Sequence, residues 1–208
     1  MAEKQNIPAS RGKVTDGLAV KNPLLVNGLV IAPAVLYANT LENALMLSGY
    51  MSLLTFAVLI ICSFIPRSIV YASRIILYTI ISAIVFVPVY MLFERIAPEQ
   101  LADMGIFAYL LIINPFIIAR SEVQFFREKR GRMILDIFFN LMGYSLTVII
   151  LGLIRELIST GGLNGELYGI KYVISGFGFP FGGFILIGIA AAFLRHIINT
   201  VRSYKENS

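Results

Sequence analysis

Apolar residues run along this chain in six blocks, separated by short polar stretches that hold most of the charges. The first block covers Pro23–Ala38 and is interrupted by Asn27, Gly28 and Pro33. The second covers Leu41–Ile65 and stops at Pro66-Arg67. The third covers Ile75–Phe93, with Pro88 near its end. The fourth covers Ile106–Ala119 and is interrupted by Asn114-Pro115. The fifth covers Met133–Ile154, and the sixth covers Gly178–Ile198 with a glycine-rich start. Blocks two, three, five and six have the roughly 17–25 residues of a membrane-crossing helix, so each predicts one. Blocks one and four are shorter and carry proline and amide groups. Proline removes a backbone donor and stops a helix from continuing. The carbonyls it frees cannot be left to hydrocarbon, so protein or a wet cavity must cover them. These two blocks therefore predict broken segments shielded by the other helices; two short kinked spans are the plainer alternative.

Composition agrees with this pattern. The chain is 58% hydrophobic and 14% charged, with mean hydropathy +0.81. Soluble domains are about 45–50% apolar and about 25% charged. The net charge of +5 does not point to nucleic acid, because the basic residues flank apolar blocks and form no basic–aromatic stripe. They read as topology signals. If all six blocks cross and the N-terminus is cytoplasmic, 14 of the 17 Lys and Arg residues share that side, leaving only Arg95, Arg155 and Lys171 opposite. Omitting one short block would move the C-terminal cluster to the wrong side.

The expected fold is an all-α polytopic membrane protein, with six spans arranged as two inverted three-helix repeats. Each half starts with a broken helix holding an Asn-Pro pair, Asn22-Pro23 or Asn114-Pro115. The expected organisation is a flexible cytoplasmic tail over 1–20 without a cleavable leader, repeats over 21–103 and 104–200, and a second cytoplasmic tail over 201–208. Asn27, Gly28, Pro33 and Asn114 form a candidate midplane site. Its polar groups either line a notch for an ion or small polar group or bind one another and lock the halves together.

Other candidate chemistry is sparse. Cys62 is the sole cysteine and lies in an apolar run, as a buried small hydrophobe would. His196 stands beside Arg195 at the end of the last block and reads as an interfacial side chain. Asp136 is expected to pair with the basic loop 127–132, and Glu42 to be solvated. Arg120, Arg127, Lys129, Arg130 and Arg132 are candidate contacts to anionic lipid or a cytoplasmic partner. Arg155 and Glu156 are expected to anchor the end of block five or touch a partner. No phosphate-binding glycine loop is present, and one histidine is too few for a self-contained hydrolytic site.

Three stretches carry a family resemblance. They are Asn22-Pro23 through Ala32-Pro33; Ile106 through Asn114-Pro115 to Ala119-Arg120-Ser121-Glu122; and Asn140 through Gly152 and Arg155-Glu156 to Gly161. In this order the chain resembles the six-helix membrane subunits of the Rnf and Nqr electron-transport complexes, the pairs called A and E in Rnf and D and E in Nqr. The resemblance implies two paired subunits that each give one cysteine from each broken segment to a [2Fe–2S] cluster. Those positions fall here on Ala32 and Pro115, which cannot supply thiolates. The resemblance thus implies a divergent member that binds no cofactor by itself. It also implies a homologous six-helix partner, further subunits able to hold [2Fe–2S] and flavin, and a bacterial or archaeal plasma membrane with both termini cytoplasmic. The expected function is a scaffold or ion/electron-path subunit of such an ion-translocating complex, non-catalytic by itself. The alternative is a stand-alone inverted-repeat transporter of an ion or small solute.

Overall fold

The computed structural model describes residues 17–18, 22–66, 68–124, 130–163, 166–167 and 173–206 of the chain. Most of the 1–20 tail lies outside these residues, as do Arg127 and Lys129. Eight α-helices are present among the described residues: α1 (Ile31–Leu36), α2 (Leu41–Cys62), α3 (Tyr71–Ile96), α4 (Pro98–Met104), α5 (Ile106–Leu110), α6 (Pro115–Gln124), α7 (Arg130–Thr160) and α8 (Pro180–Glu206). A two-residue antiparallel ladder pairs Gly162 with Leu167 and Leu163 with Glu166 between α7 and α8.

The expectation of six spans in two inverted three-helix repeats is overturned. Among the described residues, four helices are long and apolar enough to cross a membrane: Leu41–Cys62, Tyr71–Ile96, Gly131–Thr160 and Pro180–Val201. A fifth follows if Pro98–Met104 and Ile106–Glu122, bent by 73° at their break, count as one span. The first block yields only the six-residue α1. Its backbone turns through Pro23–Asn27, then takes positive φ at Gly28 (66°) and at Val30 (58°) before α1 begins. Left-handed backbone cannot propagate a right-handed helix. At a β-branched residue such as Val30 it also costs about 1–3 kcal/mol, so the surrounding packing must hold it.

The fourth block breaks for a similar reason. Gly105, at φ 50°, separates α4 from α5. A 3-10 turn over Leu111–Ile113 then runs into extended Asn114, and Pro115 starts α6. This bent element begins beside the end of α3 and finishes beside its start, where Glu122 meets Arg74.

Helices α2 and α7 form the centre. Gly152 lets them approach so closely that a Cβ there would lie 2.5 Å from the Ala44 Cβ. Ser52 and Ser145 hydrogen-bond across the same contact at 2.8 Å. Around this pair, α1, α3, α4 and α6 pack on α2, while α8 rests on α1, α7 and the 3-10 turn Ser175–Gly178. The apolar stretch of α2 is 56% buried, against 17% for α8. The outer face of α8, including Phe184, Ile189 and Phe193, is thus left to the surroundings. Without water to bury it from, such a face is at home in lipid.

Candidate functional site

Both Asn-Pro pairs build the same local device. Asn22 Oδ1 accepts hydrogen bonds from the backbone N–H groups of Leu24 and Leu25, each at 3.0 Å. Asn114 Oδ1 accepts from the N–H of Phe116 at 2.9 Å. An asparagine oxygen that captures orphan N–H groups, followed by proline where no N–H is needed, is how a helical turn starts. The two amide nitrogens then reach across the protein. Asn22 Nδ2 donates to the Gly143 carbonyl (3.0 Å) and to Thr147 Oγ1 (2.9 Å) on α7. Asn114 Nδ2 donates to Thr55 Oγ1 (3.1 Å) and contacts Met51 Sδ (3.0 Å) on α2. These partners flank the midpoints of α7 and α2, so each broken segment turns level with the middle of a long helix.

The candidate residues divide around these devices. Asn114 and Pro33 are buried, whereas Asn27, Gly28, Ala32 and Pro115 are exposed. A small notch adjoins Asn114 between α3 and α6, lined also by Thr79, Ile113 and Ile117. Asn22 matters as much as Asn114, yet sequence reasoning placed the first-segment site at Asn27. The signal was the Asn-Pro pair itself, read as a cap rather than as a polar intrusion.

At the other end of α7, Arg155 is 0% exposed. Its guanidinium donates to five carbonyls: Val35 (2.6 Å), Ala38 (2.8 Å), Gly178 (3.0 Å), Phe177 (3.1 Å) and Phe179 (3.2 Å). Five N–H donors meet five acceptors, so the buried cation is fully hydrogen-bonded. Val35 and Ala38 lie at the C-terminal end of α1, where the helix dipole favours a cation. Neighbouring Glu156 accepts the N–H of Leu41 at 2.7 Å at the start of α2, where the dipole favours an anion. Thr40 Oγ1 completes that cap by accepting from the Asn43 N–H at 3.2 Å. The pair expected at an anchoring or partner surface therefore clamps the α1–α2 turn internally. Beside it, the Tyr37 hydroxyl donates to the Gln100 carbonyl at 2.6 Å. Burial, together with nearby Asp103 and Glu42, raises its pKa and keeps it a neutral donor.

The basic end holds two networks. Arg74 makes a two-pronged pair with Glu122 (3.0 and 2.7 Å), and Tyr78 donates to the same carboxylate at 3.0 Å. Arg120 lies 3.4 Å from Asp136, bonds Asn140 Oδ1 and stacks 5.3 Å from the Phe116 ring centre. Asp136 also accepts from Asn140 Nδ2 at 3.0 Å. Arg132 is exposed; the side chain of Arg130 lies outside the described set. Cys62 is 0% exposed in the core, and His196 is exposed toward the C-terminal end of α8. The buried hydroxyls of Tyr50, Ser82, Ser121 and Tyr144 have no hydrogen-bond partner among the described residues.

Long apolar helices around two broken segments define a polytopic helical membrane protein. The family described as Rnf-Nqr subunit, membrane protein, matches residues 11–193, and the chain belongs to it. It is similar to a subunit of the ion-translocating oxidoreductase complex of Haemophilus ducreyi, at 29% identity over 153 residues, covering 74% of this chain and 67% of that protein. It is also similar to a subunit of the Na(+)-translocating NADH-quinone reductase of Pseudoalteromonas translucida, at 27% identity over 190 residues, covering 89% of each. A third relative is a subunit of the proton-translocating ferredoxin:NAD(+) oxidoreductase complex of Clostridium ljungdahlii, at 27% identity over 189 residues, covering 86% of this chain and 85% of that protein.

The donors here do not fit a cysteine-ligated cluster. Ala32 and Pro115 offer a methyl group and a ring, and Cys62 is sealed in the core. Among the described residues, no group of three or more His, Cys, Asp or Glu side chains is placed to hold a metal ion.

Proposed function

We propose that this chain is an integral membrane subunit of an ion-translocating, redox-driven complex of the Rnf/Nqr kind, serving as scaffold or path rather than as the seat of a cofactor. The observation that carries the reading is family membership over 11–193, joined to the absence, among the described residues, of any group of three or more His, Cys, Asp or Glu placed to hold a metal. The relatives' names favour a complex over a lone carrier, since each is one subunit of a translocating reductase or oxidoreductase. Partners in such a complex, a homologous helical subunit among them, are the place for [2Fe–2S] and flavin. The end of the bundle with Arg74, Arg120 and Arg195 faces the cytoplasm on this reading, following the positive-inside rule. The bacterial sources of the relatives favour a bacterial-type plasma membrane. Exposed Arg132, with Arg127, Lys129 and Arg130 next to it in sequence, is suited to anionic lipid or a cytoplasmic subunit.

Affinity purification of the native protein in mild detergent tests this reading. Other membrane subunits should co-purify, with flavin and iron in the assembly. A chain that purifies alone and transports a solute in vesicles would show that the reading is wrong.

A further inference from the structure

The break before α6 takes two carbonyls away from their helical donors. A helical carbonyl finds its N–H three or four residues ahead. For Ile112 those residues are Pro115, which has no N–H, and Phe116, whose N–H goes to Asn114 Oδ1 at 2.9 Å. For Ile113 they are Phe116 and Ile117, and the Ile117 N–H goes to the Asn114 carbonyl at 3.1 Å. Asn114 is fixed to Thr55 at 3.1 Å, so this turn lies level with the middle of α2. Backbone polar groups at such depth need protein or water against them.

Ile112 and Ile113 both line the small notch between α3 and α6, together with Tyr78, Thr79 and Asn114. The Thr79 hydroxyl donates to the Ile75 carbonyl at 3.1 Å, and its oxygen keeps room to accept. Three kinds of occupant compete for this place. A lipid tail brings no donor to the carbonyls. A cation meets oxygens but no charge to pair with, because the Glu122 carboxylate that Tyr78 bonds is already gripped by Arg74. A buried charge without a partner is costly. Water brings two donors, needs no counter-charge and suits a small notch with several polar partners. We propose that the notch holds a resident water molecule, which donates to the carbonyls of the Ile112–Ile113 turn and has the Thr79 hydroxyl as its third partner. The second broken segment is then a hydrated joint: Asn114 locks it to α2, and water completes its backbone. The proposal concerns this chain alone and does not depend on the subunit reading above.

Pulsed X-ray hydroxyl-radical labelling, read by mass spectrometry, tests this on the full chain in lipid nanodiscs with whatever subunits co-purify. Radiolysis turns a bound water into a radical in place, and the radical marks the side chain beside it. Tyr78 lines the notch and is 1% exposed, whereas Tyr71 on the same helix is 56% exposed. A scavenger in the bulk solution should suppress labelling of Tyr71 and leave that of Tyr78. Thr79→Leu fills the notch and removes a polar partner, so Tyr78 labelling should fall several-fold. Thr79→Val removes only the hydroxyl and should lower it less. Cys62, buried in the core, must stay protected from maleimide in the variant that is scored, which separates a lost water from a lost fold. Exchange of sodium or potassium chloride for choline chloride should change neither Tyr78 labelling nor the thermal midpoint. Tyr78 labelling that the scavenger abolishes, or that both Thr79 variants leave unchanged, overturns the proposal in favour of a dry notch. A midpoint that rises with sodium or potassium, and no longer does so in Thr79→Val, overturns it in favour of a cation. A chain that purifies without partners yet shows the Tyr78 signal overturns the subunit reading alone.

Discussion

Asn22 and Asn114 make the same connection from different halves of the chain. Each oxygen caps its own broken segment, and each nitrogen donates to a threonine on a central helix, Thr147 at 2.9 Å and Thr55 at 3.1 Å. Truncation to alanine takes the acceptor from the N–H groups of Leu24 and Leu25, or from that of Phe116. Asn22→Ala and Asn114→Ala should each destabilise the protein by about 1–3 kcal/mol. Asn114→Asp tests the division of labour, because it keeps the capping oxygen and loses the donor to Thr55. It should be at least as damaging as alanine, since it also buries a charge. Thermal unfolding in detergent, followed by maleimide labelling of buried Cys62, measures all three.

The central helix contact predicts a contrast between two glycines. A Cβ at Gly152 would lie 2.5 Å from the Ala44 Cβ and 2.7 Å from the Thr40 carbonyl, whereas nothing lies within 4 Å of one at Gly188. Gly152→Ala should cost about 1–3 kcal/mol through overpacking. Gly188→Ala should be neutral or stabilising by up to about 1 kcal/mol, the gain in helix propensity. The same labelling assay separates the two, and equal effects would mean that α2 and α7 can move apart at little cost.

The apolar blocks were legible because spanning length needs no tertiary information. Leu41–Cys62 and Tyr71–Ile96 differ from their sequence blocks mainly at the ends. The first block misled, because hydropathy sums side chains and is blind to the positive φ at Gly28 and Val30 that limits α1 to six residues. The Asn-Pro pairs were visible as oddities, but their use was not. Whether Asn114 lines a path or caps a turn depends on Thr55 and Met51, about sixty residues away. Arg155 was harder still. A charged residue closing a hydrophobic block looks like an anchor at the lipid surface, and only the arrival of the α1 end and the 175–179 turn makes it a buried centre. Asp136 has a basic partner in Arg120 on α6, sixteen residues away in sequence.

Arg74 and Glu122 tie the start of α3 to α6 with side chains that are 12% and 18% exposed. A two-pronged pair with a tyrosine donor to the same carboxylate should show real coupling, unlike most surface pairs. Arg74→Met, Glu122→Gln and the double variant form a thermodynamic cycle. The interaction energy should be about 0.5–3 kcal/mol, with the double variant less destabilised than the sum of the singles. Additive singles would leave Tyr78 and packing as the bond between these helices. High salt should change the coupling little, because partly buried pairs are weakly screened.

Arg155 offers the sharpest comparison, because its donors and acceptors match one for one. Lysine keeps the charge but has three donors on a single nitrogen, so at least two of the five carbonyls lose the donor this side chain supplies. Arg155→Lys should therefore cost about 2–4 kcal/mol despite being conservative in charge. Arg155→Met fills similar space and removes the burden of a buried cation, but takes the side-chain donors from all five carbonyls, of which that of Phe179 still accepts from the Gly182 N–H. It should be worse than lysine if hydrogen bonding dominates at this position, and better if charge desolvation does. Glu156→Gln retains an oxygen for the Leu41 N–H and loses only the charge at the α2 start, so about 0.5–1 kcal/mol is expected. The order Glu156→Gln mildest, Arg155→Lys intermediate and Arg155→Met worst, read from Cys62 labelling, would establish that the clamp works through its hydrogen bonds. A milder Arg155→Met than Arg155→Lys would instead assign the buried charge to another need, such as a carboxylate brought by a partner.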